Sequence, residues 1–480
     1  MDQQNDRAST PVIVARPDHP VSRSQISGNA LKVLYRLRDG GYQAFLVGGC
    51  VRDLLIGIEP KDFDVATDAS PEEVRRLFRN CRLIGRRFRL AHVRFGYQVI
   101  EVATFRATGA PMAPEPDLDG VTEDDSEIEP ENEPEPEDEP NGNVDRAHDE
   151  RGRLLRDNLY GTIDQDVWRR DFTCNALYYN IEDFSIVDYV GGVDDVRART
   201  IRLIGDPETR YREDPVRMLR AVRFEAKLGF TIHESARAPF TTLAGLLGHI
   251  PPARLLDEFQ KLFLAGFGQR AFDLLCEHGL FAELFPVTAA HLDTDQGGMA
   301  LALIRAGLAD TDRRVAEGRA VTPMFLFAVM LFGPVSGAAQ RRFDSGAPPP
   351  VAIAEAVDEV VSQQNRRIGI PKRFSIPMRE LLALQPRFHR REGRRVLGFL
   401  AHPRFRAAYD FLLLRAQAGA EDPAIARWWT EFLALSPEQQ RERVGSAGDA
   451  GGGSGDEPGP PRRRRRRRGG RRNATPPAAN

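Results

Sequence analysis

The chain has 480 residues, too many for one ordinary core, so two or three domains are expected. Hydrophobic residues make up 41% of it, and no apolar run approaches the roughly 20 residues of a membrane span. The first residues lack the charged-then-apolar pattern of a signal peptide. Cys50, Cys81, Cys174 and Cys276 form no CxxC pair, which argues against a zinc site or disulfide framework and favours a cytoplasmic location.

The formal net charge of −2 averages two opposed blocks of the chain. Residues 107–150 contain 17 acidic residues and one basic residue, Arg146, which leaves 66 basic and 52 acidic residues elsewhere. An excess of basic residues is the usual electrostatic signature of a protein that binds polyanions. It is weak by itself, because many solvated surfaces are also rich in arginine.

The first predicted elements follow a lead of residues 1–25 that is expected to be disordered. From Ser27, a plausible N-cap, to Arg38, apolar positions recur at the spacing of one helix face. The stretch AFLVGGCVRDLL, residues 44–55, predicts a strand, a glycine turn and the start of a helix. DFDVAT and QVIEVATF predict two strands, which bracket a helix at 70–80 that opens with a capping-box pattern.

An acidic insertion is predicted to interrupt this first domain, which spans residues 26–205. Residues 111–145, within the acidic stretch 107–150, are rich in Glu, Asp and Pro with almost nothing to bury, so they are expected to be disordered. Strand patterns resume at 172–181 and 185–190.

Helical periodicity dominates the rest of the chain, beginning at about Glu213. A helical region at 206–333 is expected to end at a Pro/Gly/Ala-rich joint, residues 334–350. A last helical block is predicted at 351–435. The Gly/Ser/Pro-rich tail, residues 436–480, is expected to be disordered and includes seven consecutive arginines, Arg462 to Arg468.

The stretch PKDFDVAT sets Asp62 and Asp64 two residues apart in a β-branched run. Residues i and i+2 of a strand face the same side, so the spacing aims two carboxylates at one point. A divalent cation would relieve their repulsion, and Mg²⁺ takes one or two carboxylates together with substrate phosphates. The alternative is a polar strand face that meets only water, because D-x-D is common.

The stretch VGGCVRD lies about a dozen residues upstream of the Asp pair. It places Gly48 and Gly49 between a strand and a helix, with Arg52 one turn into the helix. Glycines there let the backbone approach a phosphate. An isolated Gly-Gly is more often a tight turn, but this order of turn, helix and D-x-D strand is far more specific.

The stretch RRDFTCNAL places Arg169, Arg170 and Asp171 where a strand begins. The arginine fork suits phosphate and ribose oxygens, and a third carboxylate would complete a metal cage or orient a sugar. Glu101, on a predicted strand, competes for the third-carboxylate role, and the sequence does not decide between it and Asp171. The alternative for the whole stretch is a surface ion cluster.

The stretch YREDPVRMLRAVRF sets Arg217, Arg220 and Arg223 at helical spacing, with Glu213 and Asp214 at the helix start. Acidic residues there suit the helix dipole. In the functional interpretation an Asp/Arg pair presents a hydrogen-bonding edge to an incoming base. In the alternative, the arginine-rich face is simply solvated.

These four stretches, in this order, resemble the successive motifs of the class II nucleotidyltransferase superfamily. That group comprises the CCA-adding tRNA nucleotidyltransferases and the bacterial poly(A) polymerases, and the resemblance covers residues 44–106 and 150–270. LIGRRFRLAHVRFG, residues 83–96, is similar to the poly(A) polymerases, as are 366–374 and 402–416. CCA-adding enzymes more often show a shorter segment that ends in a G-T-V-like turn.

The resemblance implies an α+β fold: a small nucleotidyltransferase head with a mostly antiparallel sheet, followed by all-α neck, body and RNA-binding regions. It implies template-independent polyadenylation of RNA 3′ ends from ATP, promoting RNA decay, by a two-metal mechanism with Mg²⁺, or Mn²⁺ in its place. The implied partners are RNA 3′ ends, ATP and proteins of RNA decay or RNA chaperoning, and the protein is expected to be a monomer. The alternatives are a CCA-adding enzyme and, more remotely, a catalytically idle RNA-binding adaptor.

Carried over residue by residue, the resemblance makes Asp62 and Asp64 metal-binding catalytic residues and Asp171 the third active-site acid. Glu101 remains the competing carboxylate. The implied nucleotide-binding residues are Gly48, Gly49, Arg52, Arg169, Arg170, Glu213, Asp214, Arg217 and Arg220. Basic stretches supply the RNA-binding candidates Arg86, Arg87, Arg89, Arg366, Arg367, Lys372, Arg373, Arg390 and Arg391.

Overall fold

The computed structural model describes residues 10–85, 89–107, 160–295, 298–393 and 395–445, and the backbone of short strands at 146–148 and 154–157. Three sets of predictions lie outside the described residues. They are the acidic insertion apart from Ala107 and the strand at 146–148, the tail beyond residue 445, and the RNA-binding candidates Arg86 and Arg87.

Short strands form the framework of the N-terminal half. They are β1 (Val12–Val14), β2 (Ala44–Val47), β3 (Asp64–Thr67), β4 (Cys81–Ile84), β5 (Leu90–Phe95), β6 (Gln98–Thr104), β7 (Arg146–His148), β8 (Leu154–Asp157), β9 (Leu177–Asn180), β10 (Ile186–Asp188), β11 (Thr200–Ile201) and β12 (Thr231–Ile232). The main sheet has the order β1-β10-β9-β2-β3-β6-β5-β4. Its neighbours pair antiparallel except β3 and β6, which confirms the mostly antiparallel sheet.

Helices cover one face of this sheet and part of the other, and they form the rest of the described chain, which confirms the α+β fold. Those of the head are α1 (Gly28–Asp39), α2 (Gly49–Leu55), α3 (Pro71–Leu77), α4 (Ile163–Arg169) and α5 (Gly192–Arg197). Those that follow are α6 (Pro207–Glu213), α7 (Val216–Leu228), α8 (Glu234–Arg237), α9 (Phe240–Leu243), α10 (Pro252–Phe263), α11 (Gly268–Glu277), α12 (Phe281–Leu284), α13 (Pro286–Leu292), α14 (Met299–Ala316), α15 (Pro323–Asp344), α16 (Pro349–Gln364), α17 (Lys372–Leu384), α18 (Arg395–Leu400), α19 (Phe405–Gln417), α20 (Pro423–Ala434) and α21 (Pro437–Gly445).

Alternation along the strands gives the main sheet two different faces. Val65 of β3 and Val102 of β6 belong to the main core, on the face that packs against α1 and α3. Ala66 and Tyr178 lie on the opposite face in a smaller apolar cluster. Asp64 shares that second face, because it stands two residues before Ala66.

Residues 10–25 correct the expectation of a disordered lead. β1 pairs antiparallel with β10 and forms one edge of the main sheet. The His19 ring is buried and bonds to the carbonyl of Phe184 at 2.9 Å. Val-Ile-Val is a weak strand pattern at only three residues, and its partner β10 lies far along the chain, so this pairing has no strong local signal.

The predicted joint at 334–350 is also wrong, because α15 runs unbroken through Pro334 to Asp344. Gly337 lies inside this helix, where a Cβ would meet the His291 ring at an ordinary 3.5 Å, so it does not interrupt the helix. The helix also holds Gly333 just before the predicted joint, where a Cβ would lie 2.6 Å from Cδ2 of His291. α15 is long and apolar enough to cross a membrane, but 67% of its most apolar window is buried, so it is a core helix.

A second, smaller core lies at residues 384–444, around the fully buried Trp429. Phe388, Phe399 and Phe432 pack on its indole ring at nearly perpendicular angles. α21 adds Val444 to this core, so the predicted disordered tail begins too early at residue 436. The boundary between the two helical cores therefore falls near residue 384.

Candidate active site

The Asp pair and the glycine turn lie side by side in the structure. β2 pairs with β3 so that Val47 stands opposite Asp64, and the turn of Gly48 and Gly49 follows directly. Gly48 has φ +79°, a left-handed conformation that favours glycine. The glycine turn and the Asp pair, which are separate motifs in the sequence, therefore form one compact site.

Both carboxylates of the pair line a cleft of about 540 Å³ between the head and the helices that follow it. This volume falls within the roughly 300–1,000 Å³ of ligand pockets. Asp62 is exposed, whereas Asp64 is only 5% exposed. Cationic side chains from both sides also line the cleft, namely Lys61, Arg223, Lys227 and Lys261. The cleft therefore combines carboxylates with the positive charge that a triphosphate requires.

Cys50 also lines this cleft, one residue after the glycine turn. Burial raises the pKa of its thiol to about 12, and the negative charge of Asp64 adds to the effect. Because the thiolate is the nucleophilic form, Cys50 stays protonated and unreactive at neutral pH.

Glu101 lies on the strand next to the Asp pair. Asp64 and Glu101 each come one residue before the first paired residues of the parallel strands β3 and β6, so they share a face. Both also line a second cavity of about 50 Å³, and Oε2 of Glu101 is buried there without a hydrogen-bond partner.

The Asp pair fits a magnesium ion with help from the substrate. In the described part of the chain, no group of three or more His, Cys, Asp or Glu is close enough to hold a metal ion alone. Mg²⁺ is commonly held by one or two carboxylates plus substrate phosphates, so Asp62 and Asp64 suffice. The orphaned oxygen of Glu101 beside them suits a third acidic contact.

Asp171 lies in a different environment, an ion-pair cluster at the junction of head and helices. Nε of Arg217 donates to its Oδ1 at 2.7 Å, and Nε of Arg220 lies 2.8 Å from its Oδ2. Burial pushes the pKa of Asp171 upward, but Arg220 and Arg217 outweigh it and hold that pKa below its usual value. Asp171 lines neither cavity, so the structure does not bring it together with the Asp pair.

The arginine-rich helix α7 is buried, so the alternative of a solvated face is wrong. Arg217, Arg220 and Arg223 are 0%, 6% and 2% exposed. Two of them hold Asp171, while Arg223 reaches the cleft and lies 3.8 Å from Glu258. An arginine face predicted at the surface thus joins the head to the helical region.

The two acidic residues before α7 have different positions. Glu213 ends α6 and accepts from Arg210 and Arg217. Asp214 accepts from the backbone N–H of Val216 at 3.2 Å and from Nη2 of Arg254 at 2.6 Å. Neither lines the cleft, so the structure does not bring these two nucleotide-binding candidates into its wall.

Arg52 and Arg170 contact residues that lie next to the glycine turn. Arg52 is fully buried and donates to Asp53 at 2.8 Å and to Asn175 at 2.5 Å. Arg170 donates to the hydroxyl of Tyr178 at 2.8 Å. Its Nη1 would lie 3.7 Å from a Cβ on Gly48. Arg169 and Arg170 line the small cavity with Asp64.

The RNA-binding candidates divide into paired and unpaired groups. Arg89 bonds to Glu72 at 2.7 Å, and Arg367 to Glu283 at 3.4 Å. The others are exposed and have no acidic partner among the described residues: Arg366, Lys372, Arg373, Arg390 and Arg391. The same basic stretch, residues 386–395, also carries Arg387 and Arg395, which line a hollow of about 380 Å³ with Arg390. Sequence reasoning named Arg223 of the cleft wall but missed Lys61, Lys227 and Lys261, of which Lys61 could have been found by its position beside the Asp pair.

A carboxylate pair beside a glycine turn, on a mixed sheet that continues into an all-helical region, defines a nucleotidyltransferase. Family models match three parts of the chain: the poly A polymerase head domain at 44–202, the probable RNA and SrmB-binding site of polymerase A at 229–292, and the arginine-rich C-terminus of polymerase A at 345–471. The chain is 47% identical to poly(A) polymerase I of Escherichia coli O157:H7 over 436 residues, 89% of this chain and 87% of that protein. It is 41% identical to the Haemophilus influenzae protein of the same name over 435 residues, 90% of each chain. The chain belongs to the poly(A) polymerase I family.

CCA-adding enzymes are related over a shorter stretch. The enzyme of Geobacillus sp. is 36% identical over 255 residues, 53% of this chain and 54% of that one. Among solved structures, a CCA-adding enzyme in its apo form II has a TM-score of 0.54 at 17% identity, covering 93% of this chain and 92% of its own. The Thermotoga maritima CCA-adding enzyme complexed with tRNA has a TM-score of 0.51 at 18% identity, covering 88% and 86%. These structures show a shared fold.

Proposed function

We propose that the protein extends RNA 3′ ends with AMP taken from ATP, without a template, and releases pyrophosphate. One observation carries this: Asp62 and Asp64 share a cleft with the glycine turn and with four cationic side chains, in a chain similar to poly(A) polymerase I over about nine-tenths of its length. The 3′-oxygen of the RNA attacks the α-phosphorus, and the bond from that phosphorus to the pyrophosphate oxygen breaks. No covalent enzyme intermediate is required.

The acidic residues of the site hold Mg²⁺ in this proposal, with Mn²⁺ as a substitute. Asp62 and Asp64 are the ligands, and Glu101 is favoured over Asp171 as the third acid because it lies on the same sheet face. Bound Mg²⁺ lowers the pKa of the attacking hydroxyl and neutralises charge on the leaving group. Asp171 instead holds Arg217 and Arg220, which fixes the helix that carries the base-recognition residues.

The cationic residues of the cleft receive the triphosphate. Lys61, Lys227 and Lys261 line it together with Arg223, and the backbone at Gly48 is free of any Cβ that would keep a phosphate away. Arg52 and Arg170 act by holding the turn in place. Asp214 and its partner Arg254 meet the adenine edge in this arrangement.

The wider setting follows from the family matches. The match to a probable RNA and SrmB-binding site at 229–292 supports contacts with RNA and with proteins of RNA decay or RNA chaperoning. We propose that the protein acts as a cytoplasmic monomer and that its tailing promotes RNA decay.

The test uses the full chain, Mg²⁺ and a 5′-labelled generic RNA, with each nucleoside triphosphate supplied singly. A tRNA without its 3′ end runs alongside, and Asp62→Asn is the inactive control. A long ladder with ATP alone on the generic RNA supports polyadenylation. Arrest after three additions, on tRNA alone and only with CTP and ATP together, would overturn it in favour of a CCA-adding enzyme. Unchanged extension by Asp62→Asn would remove the metal assignment.

A further inference from the structure

Strand pairing sets a row of side chains across the face of the sheet that carries the carboxylates. Glu101 of β6 shares this face with Asp64 and pairs with His92 of β5, whose Nε2 lies 3.4 Å from Oε1 of Glu101. His92 in turn pairs with Arg82 of β4, the edge strand. Because directly paired residues point to the same side, the row runs from Asp64 to Arg82 on one face. Arg94, two residues after His92, joins it.

Among the described residues, this face is exposed where the row reaches the sheet edge. Arg82 and Arg94 are exposed, whereas their strand neighbours on the opposite face, such as Ala91 and Val93, are buried against helices. Neither Arg82 nor Arg94 has an acidic partner among the described residues. Arg89, on the same segment, is already bonded to Glu72. The charges of Arg82 and Arg94 are therefore available to an external anion.

The two cavities at Asp64 indicate where each substrate enters. The cleft of about 540 Å³ accommodates a nucleoside triphosphate, whereas the cavity of about 50 Å³ beside Glu101 has room only for a group the size of one or two water molecules. A second substrate that reaches Asp64 from the sheet edge would therefore pass over the exposed arginines of the row. From β3 to β4 that face spans three strand spacings, about 14 Å.

We propose that Arg82 and Arg94 bind backbone phosphates of the RNA a few nucleotides upstream of its 3′-hydroxyl. The inference rests on the proposed function, because it identifies the second substrate as an RNA strand. Guanidinium groups suit phosphodiesters, and contacts to the backbone carry no sequence information, as tailing of different RNAs requires.

The experiment measures binding of a fluorescent single-stranded RNA of about ten nucleotides to the full chain, without ATP, over a range of salt concentrations. The variants are Arg82→Ala and Arg94→Ala. Arg75→Ala is the matched control, because Arg75 is exposed and lacks an acidic partner among the described residues, but it lies on α3, against the opposite face. Each test variant should bind RNA about threefold more weakly, with a salt slope shallower by about 0.7, the value for one phosphate on a single strand.

Steady-state kinetics complete the test. The KM for RNA should rise in both test variants while the KM for ATP stays within about twofold, and the rise should shrink when a dinucleotide primer replaces the longer RNA. RNA binding by the test variants equal to that of Arg75→Ala would overturn the inference. Failure of the wild type to transfer AMP, with the binding difference intact, would instead remove the proposed function and leave the RNA-binding row in place.

Discussion

Replacement of Asp171 by asparagine tests whether this residue stabilises the junction of head and helices or takes part in AMP transfer. The carboxylate is 4% exposed and meets two buried guanidinium groups, Arg217 at 2.7 Å and Arg220 at 2.8 Å. A neutral amide at this position could not balance their charge. The substitution therefore removes the counter-charge that these two buried cations share, although Arg217 still meets Glu213 at 3.3 Å.

The expected cost is large. Removal of one partner from a buried ion pair typically costs about 3–5 kcal/mol, because the other charge stays buried. At about 2–4 °C for each kcal/mol in a region of this size, the melting temperature of the affected region should fall by about 6–20 °C. Asp62→Asn is the contrast, since Asp62 is exposed and surface changes usually stay within about 0.5 kcal/mol.

The assay pairs thermal unfolding with primer extension at a temperature well below both transitions. Asp171→Asn should unfold early and retain measurable AMP transfer, whereas Asp62→Asn should unfold like the wild type and transfer nothing. A melting temperature for Asp171→Asn within about 1–2 °C of the wild type, together with complete loss of transfer, would refute the structural role.

The pH dependence of stability gives a second test of the role of Asp171. Since its pKa is lowered in the folded state, the pair contributes stability that is fully present above the unfolded value of about 3.9 and is lost as pH falls through the folded pKa. The free energy of unfolding of Asp171→Asn should therefore decrease less on acidification than that of the wild type.

Three further outcomes are expected. Gly48→Ala should destabilise the head by about 1–2 kcal/mol and raise the KM for ATP, whereas Gly41→Ala, which has a similar positive φ but open space around it, should show only the stability loss. Deletion of residues 111–145 removes 15 acidic residues from the segment that connects Arg106 to Tyr160, a pair that lies beside the small cavity. Because this negative charge is lost, RNA should bind more tightly at low salt. An unchanged salt dependence of RNA binding would contradict this. Trp429→Ala should cost about 3–5 kcal/mol in the second core and weaken RNA binding without changing the KM for ATP, as binding and kinetics on the same preparation would show.

Local patterns in the sequence predicted the elements that local physics decides. Ser27 caps α1 by accepting from the backbone N–H of Ala30, and Ser70 and Glu73 form the expected capping box at α3. The D-x-D spacing placed two carboxylates at one cleft. Each of these features depends on residues within four positions of one another, so the sequence contains the whole interaction.

Features that depend on strand order could not be read in this way. The resemblance implied Asp171 as the third acid with Glu101 as its competitor, and the sequence could not decide between them because nothing local shows that β6 lies next to β3. The parallel pairing of those strands brings Glu101 to Asp64, although 37 positions separate them. Its register also decides which face Glu101 occupies, and a shift of one residue would turn its side chain into the core.

The excess of basic residues along the chain predicted the positive charge expected of a protein that binds polyanions. It did not identify which arginines are available to bind them. Arg217 and Arg220 stand in the most arginine-rich helical motif, yet they neutralise Asp171 inside the protein. Arg82 and Arg94, on the neighbouring strands β4 and β5, have no acidic partner among the described residues. Since a buried ion pair has little charge left for a ligand, the arginines that attract RNA are those the fold leaves unpaired at its surface, and pairing can be counted only once the fold is known.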